Sequence, residues 1–312
     1  MRTRDQTQGA EFGPDGLPSA LVLTFDNLGE ASELERGTWP EGATLGNHAS
    51  VTDVLPRLLD ELDGRGLTAT FFVEAINCEL YPDALLEIAR RGHELGMHGW
   101  CHEPWAELSP EAERESLARG MRAFATLGIE VRGFRPPGGG LTQRSPALLR
   151  EAGIAWCSPA GGRLGVRDDV VYVPFDWRLV DAYHLMARFS TLRVSRGEAA
   201  PALAPGALAG RLTAELDALP CGGGQQTLIL HPFLMVEEAW CAGAREVLGR
   251  IGRLAGGGRI WVVPGGRFAD WLREPTRSCG LAPDAESRTG PASRRGVADR
   301  PREPTHSRVI EE

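Results

Sequence analysis

The stretch LVLTFDNLGE, residues 21–30, decides the fold, because a short apolar run ends abruptly in Asp26 and Asn27. Apolar runs of this length are typical of strands that are buried on both faces of a parallel sheet. A helix-period run, VTDVLPRLLDEL at residues 51–62, and a second apolar run, LTATFFV at residues 67–73, follow it. The same alternation continues along the chain and gives roughly eight short strands separated by helices. The sequence therefore predicts an α/β protein, either a parallel barrel or a doubly wound sheet.

Composition and charge narrow the classes of partner. The 312 residues carry a formal net charge of −8, so there is no basic excess with which to bind nucleic acid or an anionic membrane surface. All 34 basic residues are Arg, which excludes Schiff-base catalysis by a lysine. The amino terminus has no apolar leader pattern, and no run of about 18 apolar residues occurs. We expect a cytoplasmic protein with a small-molecule substrate and with no nucleic acid or membrane partner; assembly into a homo-oligomer stays open.

The composition also predicts one domain with two tails. Residues 1–18 and 275–312 are rich in Arg, Pro, Ser, Glu and Gly and poor in apolar residues. Burial of so few apolar side chains would not offset the entropy lost on ordering these segments. We therefore predict a disordered segment over residues 1–18, a barrel domain over residues 19–274 and a disordered tail over residues 275–312.

Polar side chains follow the predicted strands at the points where the strands end. In parallel α/β barrels the carboxyl ends of the strands meet at one rim, and active sites are built there. His98 and His102 are four positions apart, so a helical turn after the strand would point both imidazoles the same way, as a divalent metal requires. The candidates at this rim are Asp26, Asn27, His98, His102, Arg135, Asp176, Asp181 and His231.

Five motifs occur in order between about residue 20 and residue 272. They are TFDN (24–27), HELGMHGWCH (93–102), RGFRPPGG (132–139), VPFDWRLVD (173–181) and LILHPF (228–233). Together they resemble the NodB-type polysaccharide deacetylases, carbohydrate esterase family four, and five ordered motifs are far more specific than any one of them. The resemblance implies a deformed (β/α)7 barrel of the NodB-homology type. It also implies a hydrolase that acts on carbon–nitrogen bonds other than peptide bonds.

The resemblance implies a role for each residue that could move a proton. Asp26 would be the general base that deprotonates the attacking water, and Arg135 would orient Asp26, lower its pKa and keep it ionised. His231 would be the general acid that protonates the leaving amine. A carboxylate of the fourth motif would fix the tautomer of His231, and both Asp176 and Asp181 are candidates for it.

The metal site departs from the family pattern. The resemblance implies a divalent metal, zinc, held by His98, His102 and a second Asp, but this chain has Asn27 at that position. An amide oxygen binds a hard cation without adding negative charge, so retention of the metal should fall by about 10 to 100-fold. His48 and Glu74 could replace the missing carboxylate. Glu74 is the better candidate of these two, because it directly follows the predicted strand in LTATFFV.

The expected activity is metal-dependent hydrolysis of an N-acetyl or other linear amide on a small amino sugar or metabolite. Pro137, Trp177 and Trp100 are the candidates for substrate binding. One alternative is a metal-independent amidohydrolase that acts on a cyclic amide, and activity that survives a chelator would favour it. The other alternative is a non-catalytic binding protein that has lost its metal through Asn27.

Overall fold

Within residues 11–274, the part of the chain that this computed structural model describes, nine strands form one sheet. They are β1 (Ser19–Asp26), β2 (Thr70–Val73), β3 (Glu94–Met97), β4 (Gly133–Phe134), β5 (Trp156–Cys157), β6 (Gly165–Arg167), β7 (Val170–Tyr172), β8 (Gly224–Leu230) and β9 (Trp261–Val263). The order is β6-β7-β5-β4-β3-β2-β1-β8, and β9 joins through β1. The pairs are parallel except for β6 with β7. The predicted α/β class is confirmed.

Strand β1 pairs with three other strands, β2, β8 and β9. All eight of its residues are buried, as the apolar run predicted, because strands of a parallel sheet are covered on both faces. The carboxyl-terminal half pairs with β2, the amino-terminal half pairs with β9, and β8 runs along the opposite side. With partners on both sides, β1 carries Asp26 at its end into a buried position.

Eleven helices accompany the strands within the described residues. They are α1 (Ala31–Glu35), α2 (Leu55–Asp63), α3 (Asn77–Leu80), α4 (Pro82–Arg90), α5 (Pro110–Thr126), α6 (Ser145–Glu151), α7 (Asp181–Leu185), α8 (Ser190–Ser195), α9 (Pro205–Gly222), α10 (Glu238–Gly256) and α11 (Gly265–Arg273). The helix-period pattern at residues 51–62 corresponds to α2, which buries Leu55, Leu58, Leu59 and Leu62 on one face. Among the described helices, none combines the length and the apolar character that crossing a bilayer requires.

The barrel is deformed because its circle of strands is incomplete. The path of paired strands starts at β6 and ends at β8, so the barrel is open between these two within the described residues. Across this opening, an isolated parallel bridge joins Val180 to Ile229 of β8. The bridge holds the start of α7 beside the end of β8, and it therefore sets Asp181 next to His231.

The domain begins earlier in the chain than the sequence indicated. Residues 11–18, which were assigned to the disordered segment, contain a 3-10 turn at Pro14–Gly16. Phe12 is buried in an apolar cluster with Val22, Val263 and Phe268, and this burial stabilises the segment against the sheet. That part of the disorder prediction is wrong; residues 1–10 and the predicted tail at 275–312 lie outside the described residues.

Candidate active site

A cavity of about 250 Å³ lies at the carboxyl ends of β1, β3, β4 and β8. The ends of parallel strands meet at one edge of the sheet, so residues that are distant in sequence converge there. Five of the eight candidates predicted for the rim line this cavity, namely Asn27, His98, His102, Arg135 and His231. The rim predicted for the active site is therefore the place where these side chains gather.

Asp26 forms a buried ion pair with Arg135, which lines the cavity. One guanidinium nitrogen of Arg135 lies 2.6 Å from the Asp26 carboxylate and 2.8 Å from Thr24 Oγ1, and the other donates to Ser158 Oγ at 2.8 Å. The guanidinium also lies 4.2 Å from the ring centroid of Phe72. These contacts fix the Arg135 side chain in one orientation, as positioning of a catalytic carboxylate requires.

The pKa of Asp26 shifts in the direction opposite to the sequence expectation. Burial raises the pKa of this carboxyl, and the attraction of Arg135 and His231 only partly offsets that effect. The lowered pKa expected beside an arginine is therefore wrong, because the desolvation of a fully buried carboxylate outweighs its single ion pair. A raised pKa makes Asp26 a stronger proton acceptor once it is ionised.

His231 and Asp181 form a second buried pair across the cavity. His231 Nδ1 lies 2.5 Å from Asp181 Oδ1, and Asp181 Oδ2 accepts from the backbone N–H of His231 and from Trp240 Nε1 at 2.8 and 3.1 Å. The carboxylate only accepts, so Nδ1 carries a proton and Nε2 is the nitrogen left for chemistry. Of the two candidates from the fourth motif, Asp181 is therefore the one that contacts His231 in the structure.

Asp176 does not take part in this pair. Its carboxylate caps the 3-10 turn Trp177–Leu179, accepting from the backbone N–H of Arg178 at 2.9 Å. It also forms ion pairs with Arg178 at 3.1 Å and with Arg196 at 3.0 Å. Burial acts to raise its pKa, but these hydrogen bonds and charges lower it overall. The assignment of Asp176 as a catalytic residue is wrong, because its oxygens are engaged by two arginines at the surface.

His98 and His102 are held as neutral imidazoles. His98 Nδ1 donates to the backbone carbonyl of Arg135 at 2.8 Å, which leaves Nε2 as the ligand atom. The two rings lie 5.1 Å apart. Burial lowers the pKa of His98 to about 3 and lowers the pKa of His102 well below its ordinary value. Neutral imidazole is the form that binds a metal.

A tight turn between these histidines aims both rings at the cavity. His102 and Gly99 both have positive φ angles, 67° and 74°. The positive φ of Gly99 favours glycine, and a Cβ there would also lie 3.1 Å from Pro137 Cγ. The Glu103 carboxylate accepts from the backbone N–H groups of Trp100 and Cys101 at 2.9 and 3.2 Å. Glu103 therefore supports the turn, a role that the sequence analysis missed.

The carboxylate nearest the histidines comes from β2 and not from β1. Ligand atoms of Glu74, His98 and His102 lie within 4.8 Å of one another. Glu74 is fully buried, and burial raises its pKa to about 8 despite the hydrogen bonds that it accepts. Two imidazoles and one carboxylate are a common ligand set of catalytic zinc sites. The chemistry of this donor set therefore fits a divalent metal.

Asn27 acts on Glu74 in this arrangement. Its backbone is left-handed, with φ of 61°, and its side-chain Nδ2 lies 2.5 Å from Glu74 Oε1. A carboxylate accepts hydrogen bonds, so the amide nitrogen is the end that faces Glu74. The sequence analysis took Asn27 as a candidate metal ligand, but in the structure its amide donates to Glu74, the carboxylate grouped with the two histidines. His48, the other candidate, instead contacts Ser50 and Glu33.

Only one of the three predicted substrate-binding residues lines the cavity. Trp177 does so, together with Pro136. Pro137 is buried beside Gly99 instead. Trp100 is also buried, with the Arg119 guanidinium 3.5 Å from its ring centroid. The assignments of Pro137 and Trp100 are therefore wrong, because packing within the protein occupies both side chains.

Comparison with known proteins points to one family. The family model described as Polysaccharide deacetylase matches residues 15–156. This match supports the polysaccharide deacetylase family. Polysaccharide deacetylases are hydrolases that act on amide C–N bonds. The matched residues contain the Asp26–Arg135 pair and the group of Glu74 with the two histidines.

Individual relatives agree with this family. Chitin deacetylase 1 of Cryptococcus neoformans var. grubii is 29% identical over 128 residues, which cover 40% of this chain and 26% of the relative. Chitin deacetylase 1 of Saccharomyces cerevisiae is 36% identical over 86 residues, 27% of this chain and 29% of the relative. The aligned parts thus span less than a third of these two relatives.

A solved structure matches over almost its full length. It is a crystal structure of a Mycobacterium smegmatis protein described as a polysaccharide deacetylase, with 27% identity and a TM-score of 0.73. The superposition covers 89% of this chain and 96% of that one. The predicted NodB-type deformed barrel is therefore confirmed.

Proposed function

We propose that the protein is a metal-dependent hydrolase that cleaves the linear amide of a small N-acylated molecule, such as an amino sugar or a metabolite. One observation carries this proposal: the Asp26–Arg135 pair, the Asp181–His231 pair and the group of Glu74 with two histidines converge in one region of the fold. Amide hydrolysis requires a base, an acid and an electrophile together. A binding protein would have no need of all three.

Each of the two proton transfers in the proposed reaction involves one named side chain. The attacking water gives a proton to the Asp26 carboxylate as its oxygen adds to the acyl carbon, and Arg135 holds that carboxylate in place. The C–N bond then breaks, and the leaving nitrogen takes a proton from His231 Nε2. Asp181 stabilises the imidazolium, since its carboxylate already accepts from Nδ1.

The metal would be held by Glu74, His98 and His102, and zinc suits this set of two imidazoles and one carboxylate. When bound, a divalent metal supplies Lewis-acid polarisation of the scissile carbonyl. The hydrogen bond from Asn27 orients the Glu74 carboxylate toward the histidines. Support of this kind for a ligand typically changes metal affinity by about 10 to 100-fold.

The size of the cavity supports a small substrate. Its volume of about 250 Å³ lies just below the range for small-molecule sites, about 300–1,000 Å³. A cavity of this size suits one sugar ring or one N-acylated metabolite. The relatives named above are chitin deacetylases. For this chain we propose a small molecule as the substrate.

The test is a paired measurement on freshly purified protein, namely metal content by elemental analysis and turnover of small N-acetylated amino sugars and metabolites. We expect about one equivalent of zinc in the natural protein, and loss of both metal and turnover in His98→Ala. The matched control is Arg163→Gln, because Arg163 is exposed and does not line the cavity.

Two outcomes would contradict the proposal in different ways. Turnover that survives complete removal of the metal would indicate a metal-independent hydrolase, and cyclic amides would then be tested first. Full metal content without turnover of any N-acylated compound would favour the non-catalytic binding protein.

A further inference from the structure

Two arginines at the cavity have no role in the proposed reaction. Arg36 follows α1, and Arg188 lies in the 3-10 turn Ala187–Phe189. Both line the same cavity as the two histidines. Within residues 11–274, neither guanidinium has a carboxylate within the 4.0 Å of an ion pair. Among the described residues, these two cations at the cavity therefore form no ion pair.

The neighbouring arginines are different. Arg178 and Arg196 are both paired with Asp176, at 3.1 and 3.0 Å. Arg188 comes from the same part of the chain but has no such partner. An arginine that lies free at a cavity can bind a carboxylate of a ligand with two parallel hydrogen bonds.

The two guanidiniums are close enough to repel each other. Burial lowers the pKa of Arg36 and of Arg188, and the charge of Arg36 lowers the pKa of Arg188 further, to about 10. Both stay protonated near neutral pH. The charges of Glu74 and Glu33 partly offset the effect of burial on Arg36, and both arginines are exposed, so solvent screens their repulsion. An anion between the two guanidiniums would still attract both of them.

An apolar wall adjoins these cations. The ring of Trp177 lies 5.2 Å from that of Phe175 and 5.5 Å from that of Phe189, centroid to centroid. The Arg188 guanidinium lies 5.1 Å from the centroid of Phe189. The cavity thus offers a cationic part, an apolar part and the catalytic groups. A ligand that matches all three has an anionic group, a hydrocarbon body and an amide.

We infer that the substrate is a small N-acylated carboxylic acid, whose carboxylate binds Arg36 and Arg188 while its acyl group faces Asp26 and His231. This inference rests on the proposed function and adds the chemical class of the substrate. Hydrogen bonds between charged groups contribute more than neutral ones, so the free acid should bind about 10-fold or more tightly than its neutral amide.

Calorimetric binding tests this inference without requiring turnover. The probes are N-acetylleucine and N-acetylphenylalanine, each compared with its carboxamide, and titrated into the metal-loaded natural protein. The variants are Arg36→Gln, Arg188→Gln and the double substitution, and Arg163→Gln is the control with the same change of charge. We expect the acids to bind about 10-fold or more tightly than the carboxamides, and the double variant to lower this preference to about two-fold or less.

The outcomes separate this inference from the proposed function. Three results would overturn the inference without contradicting the proposed hydrolase activity. They are equal affinity for acid and carboxamide, absence of binding by both acids, and an undiminished preference for the acids in the double variant. The protein could also prefer the acids through both arginines and yet hydrolyse no N-acyl compound. That result would overturn the proposed function alone.

Discussion

Replacing Glu74 by glutamine should stabilise the metal-free protein while it weakens metal binding. Burial raises the pKa of Glu74 from 4.5 to about 8. At about 1.4 kcal/mol for each pH unit, this rise corresponds to about 5 kcal/mol of lost stability when the carboxylate is forced to ionise. Glutamine has nearly the same shape and carries no charge, so it removes this cost together with the anionic ligand.

The pH dependence follows from the direction of the shift. The folded, metal-free protein holds the Glu74 proton to a higher pH than the unfolded chain does. The contribution of Glu74 to the free energy of unfolding therefore falls as the pH rises from about 4.5 to about 8 and levels off above that. The advantage of Glu74→Gln should be close to zero near pH 4.5 and reach up to about 5 kcal/mol above pH 8.

The difference in stability between Glu74→Gln and the natural protein can be measured by urea unfolding in the presence of a chelator. Tryptophan fluorescence monitors the unfolding between pH 4.5 and 8.5. Glu111→Gln is the control, because Glu111 is exposed. Elemental analysis of the same samples before chelation should show less metal in Glu74→Gln than in the natural protein. Equal stability of the two metal-free proteins at pH 8, or a difference that does not change with pH, would refute the reasoning.

The opposite change is Asn27→Asp, which places a second carboxylate where an amide now donates to Glu74 at 2.5 Å. Without metal, we expect the free energy of unfolding at pH 8 to fall by about 3 kcal/mol, as for an uncompensated buried charge. Zinc should recover most of this loss, because both carboxylates would then face a cation. A metal-free variant as stable as the natural protein would show that the amide donor is unimportant.

Three further substitutions test the proton transfers. Asp26→Asn should lower turnover by about 100-fold or more with unchanged circular dichroism, and unchanged turnover would remove Asp26 from the mechanism. His231→Ala should slow hydrolysis of acetamides more than that of activated esters, whose leaving groups need no proton; equal losses would reject its role as the acid. Asp181→Asn should lower kcat about as much as His231→Ala, whereas Asp176→Asn should leave it nearly unchanged; the reverse order would contradict the observed pairing.

Local patterns predicted the scaffold of this protein well. The apolar run at residues 21–25 is a fully buried strand, and the leucines of residues 55–62 form one face of a helix. Both features depend on period and burial, which are properties of neighbouring residues in the chain. The same holds for the strand-end rule that placed Asp26, His98 and His231 at one rim.

The errors concern contacts between segments. The pairing of Asp26 with Phe72 sets the ends of β1 and β2 side by side, and this register lets Asn27 reach Glu74. A single sequence does not reveal such a register. Asp176 and Asp181 likewise differ only in the partners that folding brings to them. Arg36 and Arg188 lie in short connecting segments without periodicity, so no pattern marked them in advance.

The arrangement around β1 also bears on how the protein folds. In sequence, Ser19 lies 205 positions before its partner Gly224, and Ala20 lies 241 positions before its partner Trp261. During synthesis, β1 therefore waits for most of the described domain before its ladders with β8 and β9 can close. Pairings this distant slow folding and leave strand edges exposed in the meantime. Refolding from denaturant should accordingly be slow and sensitive to protein concentration, with aggregation competing until β8 and β9 dock on β1.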